Sequence, residues 1–281
     1  MPGTFSFWRR STSIQPKAGV QPGQEAGVRI HSEFGTGMYL DESNKLFFVT
    51  AAHCIFDMSS TNRLQLINSN AILSSLSRTT NVNDRAIESL NLTLLEQNGH
   101  IKRHAVHDIT VIQIATIVST NSFGFLEIQC NPGFSSLSPT VAPVPWGVKD
   151  ACKTFKDVPD GCDSYVLGYP VSLLFDQQSE IDFTSPLIRK GVISQKNNFT
   201  KKLIIDSAVY GGNSGGPVLI VQQPNLGETD FSIVGIITQY VPAEATVDVS
   251  TSTSHGASVK VNSGYGVAEP IDYALELMQQ F

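Results

Sequence analysis

Three side chains of this 281-residue chain carry the chemistry of acyl transfer. Ser214 sits among glycines in the run Gly211-Gly-Asn-Ser-Gly-Gly-Pro217. A serine hydroxyl is a weak nucleophile: it needs a base, open approach for a carbonyl, and backbone N–H donors for the oxyanion that develops. Glycines on both sides supply the tight backbone and the access, although the same run is also a common turn between strands. His53 closes the apolar run Phe47-Phe-Val-Thr-Ala-Ala-His. Imidazole, with an ordinary pKa of about 6.5, is the side chain best suited to take a proton near neutrality. Asp108 opens the alternating run Ile109-Thr-Val-Ile-Gln-Ile. From a strand start a carboxylate can accept the second ring N–H of such a base and fix its tautomer. Each residue also has a plainer role, as a histidine satisfied by its surroundings or an aspartate that caps a strand.

The elements that must position these groups are short and rich in β-branched and aromatic residues, at 28–30, 37–40, 46–49, 109–114, 165–167, 202–205, 218–221 and 231–237. Polar or Gly/Pro-containing segments separate them, so the fold class is all-β and mostly antiparallel, as a sandwich or as barrels. The uncharged run from Ile109 to Leu126 is interrupted by Thr, Gln, Ser and Asn and reads as two strands and a turn rather than a membrane span. A C-terminal helix over 271–281 is expected, with Asp272 as its N-cap. Residues 1–26 are rich in Ser, Gln, Gly and Pro and read as a flexible arm or a strand in need of a partner. Long loops are expected at about 57–85, 131–160 and 242–262, the middle one marking the boundary between two halves.

With 19 Lys and Arg against 25 Asp and Glu the net charge is -6, and charged residues make up only 16% of the chain. That composition excludes a disordered chain or a coiled coil, and the lack of clustered cations argues against nucleic acid or an anionic membrane as partner. The N-terminal residues have no apolar core of the kind a secretory signal requires, so a cytoplasmic location is expected. The four cysteines are too few for a disulfide scaffold, although Cys152 and Cys162 could pair across a loop. His100, His104 and His107 lie close together, but no cysteine or acid cluster completes a metal shell, and neither metal nor cofactor is expected.

With all three motifs in hand, the sequence resembles the trypsin-like serine proteases of the chymotrypsin fold. The order His, Asp, Ser is that family's order, and Thr50-Ala-Ala-His-Cys54, Asp108-Ile-Thr-Val-Ile and Gly212-Asn-Ser-Gly-Gly-Pro217 are similar to its three motifs. Asp206-Ser-Ala-Val-Tyr-Gly-Gly-Asn-Ser214 and Val166-Leu-Gly-Tyr-Pro170 resemble the HtrA-like branch, and the PDZ domain that branch usually adds is not expected here. The resemblance implies two antiparallel six-stranded β-barrels, at 27–135 and 161–270, joined by a linker at 136–160. It implies Ser214 as nucleophile, His53 as general acid and base, Asp108 as its orienter, and the N–H groups of Gly212 and Ser214 as the oxyanion hole. Asn213 stands where the secreted digestive members have the acid that pairs with a freed N-terminus, and Cys54 lacks its usual partner cysteine.

The implied substrate pocket has Ala208 at its floor and Thr238, Gln239, Tyr240 and Gly264 in its walls. With no buried carboxylate there, a small or medium apolar residue before the scissile bond is expected; Asp206 would favour a basic one only if it turned into the pocket. The expected activity is peptide hydrolysis of a polypeptide substrate, rising with pH through roughly 6 to 7 as His53 loses its proton. Two other readings stay open. Gly212-Asn-Ser-Gly-Gly also satisfies the elbow motif of other acyl hydrolases, with Asp248 and His255 following, but that elbow leads into a helix and Val218-Leu-Ile-Val reads as a strand. Alternatively, the fold serves as a latent or silent binding module whose oxyanion hole is completed by an activating protein partner or a ligand.

Overall fold

The computed structural model describes residues 4–8, 35–58, 65–76, 85–120, 126–136, 145–169, 186–222, 230–247 and 257–281. The first unit contains strands β1 (Thr4–Trp8), β2 (Gly35–Glu42), β3 (Lys45–Thr50), β4 (Asn70–Leu76), β5 (Arg85–Asn91), β6 (Ile101–Arg103), β7 (Thr110–Thr120), β8 (Leu126–Cys130), β9 (Phe134–Ser136) and β10 (Trp146–Gly147). They form one sheet in the order β6-β7-β3-β2-β1-β4-β5-β9, with β8 paired to β7 and β10 running parallel to β2. Helix α1 (Leu92–Gln97) follows β5, capped by the Asn91 side chain, which accepts from the Leu94 N–H at 2.9 Å. The β2–β3 hairpin turns at Ser43 and Asn44, both with positive φ, the mirror-image turn whose twist suits antiparallel strands.

Helix α2 (Val148–Ala151) leads to the second unit, where β11 (Asp163–Gly168), β12 (Leu187–Asn197), β13 (Lys202–Asp206), β14 (Pro217–Gln222), β15 (Asp230–Val247) and β16 (Ala257–Pro270) close into a barrel. Their order around the ring is β11-β12-β13-β16-β15-β14. Helix α3 (Asp272–Met278) ends the chain's regular structure. Among the described residues, no helix is long and apolar enough to cross a membrane.

Side-chain alternation explains why the strands nearest the site read as unbroken apolar runs. In β3, Leu46 and Phe48 face the core of the first unit with Tyr39, Leu73, Leu90 and Ile112. Phe47 and Val49 face the other way, into a second cluster with Met38, Leu40 and Val111. That second cluster is the seam between the units, because Leu167, Leu219, Ile233 and Ile236 of the barrel and Ala274, Leu277 and Met278 of α3 complete it. A third cluster, including Val166, Ile193, Leu203, Ile205, Val218 and Ile237, fills the barrel. At about 25 cal/mol per Å² of apolar surface removed from water, burial on both faces makes β2, β3 and β7 the firmest parts of the first unit.

The all-β, mostly antiparallel architecture in two units matches the expectation, and the second unit has the six strands foreseen. The first unit differs: among the described residues it carries ten strands rather than six, and its path does not return on itself. Of the two readings of residues 1–26, a flexible arm or a strand in need of a partner, the second holds at 4–8, since β1 inserts between β2 and β4 and pairs with both. Asp272 is not the cap of the last helix. Ile271 holds that position, and the Asp272 carboxylate instead accepts the Phe155 N–H at 2.8 Å. The expected long loops also contain regular structure, with β4 inside the first, β9, β10 and α2 inside the second, and the ends of β15 and β16 inside the third. Cys152 and Cys162 do not pair, and all four cysteines are free, with Cys54 buried.

Candidate active site

The pairing of β3 with β7 dictates the first half of the site. Val49 lies opposite Val111 and Thr50 opposite Thr110, so the residue just after β3 and the residue just before β7 leave the sheet side by side. Beyond Thr50 the chain tightens into a 3-10 turn, Ala52–Cys54, and the Ala52 N–H donates to the Asp108 carbonyl at 3.2 Å. Asp108 then grips His53 at two points. Its Oδ1 accepts the His53 backbone N–H at 2.9 Å, and its Oδ2 lies 2.6 Å from the ring Nδ1. With a carboxylate as acceptor, Nδ1 carries a proton, so Nε2 is the nitrogen that bears the lone pair whenever the ring is neutral, the tautomer a general base requires.

Both groups are only partly exposed, 35% for the His53 side chain and 23% for Asp108. Burial pulls the His53 pKa down, but Cys54 and the Asp108 carboxylate outweigh it and hold the ring above its ordinary value. Burial likewise raises Asp108, and its bonds to His53 outweigh that and hold it below the usual carboxylate range. The two shifts describe one ion pair that favours the protonated ring.

Ser214 lies in the turn between β13 and β14, and the first unit grasps this turn through Thr36. The Thr36 N–H donates to the Ser214 carbonyl at 2.7 Å, and its hydroxyl donates to the Gly212 carbonyl at 2.7 Å. Thr36 is itself held, since its carbonyl accepts the Thr50 hydroxyl at 2.7 Å and its hydroxyl accepts the Tyr169 N–H at 3.1 Å. The Cys54 thiol, on the residue after His53, reaches the Ser214 carbonyl at 3.8 Å. Gly215 allows this close approach: its φ is +86°, and a Cβ there would lie 1.9 Å from the Thr36 carbonyl oxygen. From the other side the Gly215 N–H donates to the Ile237 carbonyl at 2.6 Å. Gly212 has φ +94°, and among the described residues neither its N–H nor that of Ser214 meets a backbone acceptor.

The predicted pocket residues fall on the barrel near this turn. Ala208 is half-buried, Thr238 is buried at a bulge in β15, and Gln239 and Tyr240 are exposed. Tyr240 pairs with Gly266, and Gly264 lies in the adjoining part of β16 with φ +88°. Asp206 is exposed at the end of β13, out of phase with the buried Leu203 and Ile205. Among the described residues, no three His, Cys, Asp or Glu side chains converge to hold a metal ion.

Several supporting groups carried no sequence signal. Thr36 is one. Another is Glu269 of β16, almost fully buried, which accepts from His107 Nδ1 at 2.9 Å and from Lys202 Nζ at 3.0 Å. Tyr273 of α3 stacks on His107, with centroids 3.5 Å apart. The residue before Asp108 is thereby tied to the barrel and to the last helix. Such residues have neither motif nor period, and only the three-dimensional pairing reveals them.

Residues 35–226 match the family described as "Trypsin-like peptidase domain". No curated protein matches the chain. Among solved structures, the chain is similar to the HtrA-type protease AlgW with a tripeptide, at 13% identity and TM-score 0.46, covering 99% of this chain and 60% of that one. It is also similar to the thermostable serine protease AL20 from an extremophilic microorganism, at 12% identity and TM-score 0.46, covering 98% of this chain and 94% of that one. A third is the protease Anisep from Arthrobacter nicotinovorans, at 13% identity and TM-score 0.44, with 95% and 89% covered. The chain thus spans less than two thirds of AlgW's length.

Proposed function

The chain belongs to the trypsin-like peptidase domain family, and on that premise we propose that it is a serine endopeptidase in which His53, Asp108 and Ser214 act as one triad. The observation that carries the reading is the two-point grip of Asp108 on His53 beside a glycine-rich serine turn that Thr36 draws to the same place. The Ser214 hydroxyl attacks a peptide carbonyl, and His53 Nε2 takes its proton. Asp108 holds the ring and stabilises the imidazolium, and the N–H groups of Gly212 and Ser214 receive the oxyanion. The imidazolium then protonates the leaving amine. Water, activated by the same ring, hydrolyses the acyl-enzyme and frees Ser214.

Polypeptides are the substrate class, with a small or medium apolar residue before the scissile bond. Ala208 at the pocket floor and the outward-facing Asp206 support that preference over a basic one. Four free thiols suit a reducing compartment, and we place the protein in the cytoplasm.

The test is labelling of the purified protein with a fluorophosphonate probe, with Ser214→Ala and His53→Ala controls and mass spectrometry to locate the adduct. Labelling at Ser214 that depends on His53 is the expected result. Folded protein that takes up no probe would overturn the reading and leave a protease-fold binding module or a latent enzyme.

A further inference from the structure

We propose that Arg189 is a positioning residue for the serine turn: an internal cation that fixes the backbone from Ala208 to Ser214, and with it the two N–H groups that face the developing oxyanion. The proposal rests on the serine-peptidase reading above for its catalytic consequence, and on geometry alone for the contact itself.

Arg189 projects from β12, a strand that is not covalently adjacent to the turn, and touches it three times. One guanidinium nitrogen, Nη1, donates to the Ala208 carbonyl at 3.2 Å and to the Asn213 side-chain oxygen at 3.1 Å. The guanidinium carbon lies over the Tyr210 ring, 4.7 Å from its centroid. The planar, delocalised fork of arginine serves both purposes at once, hydrogen bonding at its edge and stacking on its face, which a lysine ammonium cannot reproduce.

Asn213 is the reason these contacts matter. It is fully buried and lies between the two candidate oxyanion donors, Gly212 and Ser214. Its side-chain oxygen accepts a second bond, from the Tyr210 N–H at 3.1 Å, and its own N–H donates to the Tyr210 carbonyl at 3.0 Å. The turn from Tyr210 to Asn213 is therefore closed by two internal hydrogen bonds, and Arg189 adds a third contact to Asn213 from the barrel. Thr36 holds the carbonyls of Gly212 and Ser214 from the first unit, while Arg189 holds Ala208 and Asn213 from the barrel. Between these clamps the peptide planes on either side of Asn213 lose their freedom to rotate.

Placing a cation here has a cost. Burial pushes the guanidinium pKa down, and among the described residues no carboxylate pairs with it. A half-buried charge directed at neutral acceptors is a poor choice for stability alone, which favours a role in holding geometry.

The experiment compares the full chain with Arg189→Met and Arg189→Lys. Two readouts are taken: kcat and KM on a peptide substrate, and hydrogen–deuterium exchange across 207–216. Removing a single oxyanion donor typically lowers kcat by about 10²- to 10³-fold, so mispositioning both by Arg189→Met is expected to lower kcat by about 10²-fold, with KM changed less than about twofold. The lysine variant should recover part of the loss, and the acidic limb of the pH profile set by His53 should not move. Exchange should rise in 207–216 and stay unchanged elsewhere. An unchanged kcat, or faster exchange throughout the protein, overturns the proposal. Should the wild-type protein show no turnover, the peptidase reading falls and exchange alone decides: local loosening upholds the contact's role, and unchanged exchange ends it. Arg189→Lys carries the same comparison if the methionine variant does not fold.

Discussion

The barrel of β11 to β16 is filled by Val, Ile, Leu, Ala and Phe, and its buried Glu269 meets His107 and Lys202, whereas the ten-stranded unit buries Glu88 in its core against the Tyr39 hydroxyl, 2.9 Å away. The ring closes on itself; the larger sheet, among the described residues, does not. These two constructions carry different parts of the site. The closed barrel holds the serine turn at both ends, through β13 and β14, and ties Gly215 and Gly216 to Ile237. The open sheet holds His53 and Asp108, and needs only one register, β3 against β7, to set them side by side. A nucleophile on a glycine-rich loop requires support from many directions. A base and its orienter require one firm strand pair.

The sharpest break in this comparison is expected at Asp108. Asp108→Asn keeps the strand start but removes the charge that selects the His53 tautomer, and kcat should fall by about 10⁴-fold while the circular dichroism spectrum stays unchanged. The pH profile adds a second check. Protonated His53 cannot act as base, so activity is lost as pH falls through the ring's pKa. Because Cys54 and Asp108 raise that pKa, the acidic limb of kcat/KM should lie above pH 6.5 and shift down in the asparagine variant. A near-normal rate would remove Asp108 from the mechanism.

The next effect concerns the contact between the units. Gly215→Ala places a methyl group 1.9 Å from the Thr36 carbonyl oxygen and 2.2 Å from the Thr50 hydroxyl, at a φ of +86°. A loss of about 3 kcal/mol in urea unfolding is expected from the clash and the strained backbone together. Gly211, four residues earlier, has open space around the same position, and Gly211→Ala should stay within about 0.5 kcal/mol. Equal effects at the two positions would mean that the turn is not pressed against β2.

The smallest effect tests the polar core. Burial pushes the Glu88 carboxyl up to about 7, against an ordinary 4.5, with the Tyr39 hydroxyl opposing only in part. The folded state therefore prefers the protonated acid. Its contribution is complete below pH 4.5 and is lost as pH rises through about 7. Glu88→Gln should stabilise the protein by about 2 kcal/mol at pH 8 and leave it unchanged at pH 4, as read from thermal or urea unfolding. A gain of equal size at both pH values would trace to packing instead.

Much of this was legible in the sequence because the strands around the site are buried on both faces and so read as apolar runs. The runs at 37–40, 46–49, 165–167, 202–205, 218–221 and 231–237 all lie inside observed strands. The run at 28–30 lies outside the described residues. Elements with mixed composition escaped. Strand β4 is Asn-Ala-Ile-Leu-Ser-Ser-Leu, and its Ser and Asn content resembled a loop until pairing with β5 gave its backbone partners. Helix α1 is only six residues long, too short to show a period, and its cap at Asn91 follows a strand with no other helix signal. His53, Asp108 and Ser214 stood out because their chemistry is local to short motifs. Thr36, Arg189 and Glu269 did not, because each acts on a residue far along the chain, and a single sequence carries no trace of that distance.

The ring order of the barrel has a consequence for the newly made chain. Strand β16, the last of the six barrel strands in chain order, lies between β13 and β15 and pairs with both. The serine turn leans on Ile237 of β15, so its final support waits for residues near 270 to leave the ribosome. His53 and Asp108 emerge more than a hundred residues before Ser214 has a closed barrel beneath it. At about 5 to 20 residues per second, that interval lasts on the order of ten seconds. Until β16 emerges, the proposed nucleophile has no finished support beneath it.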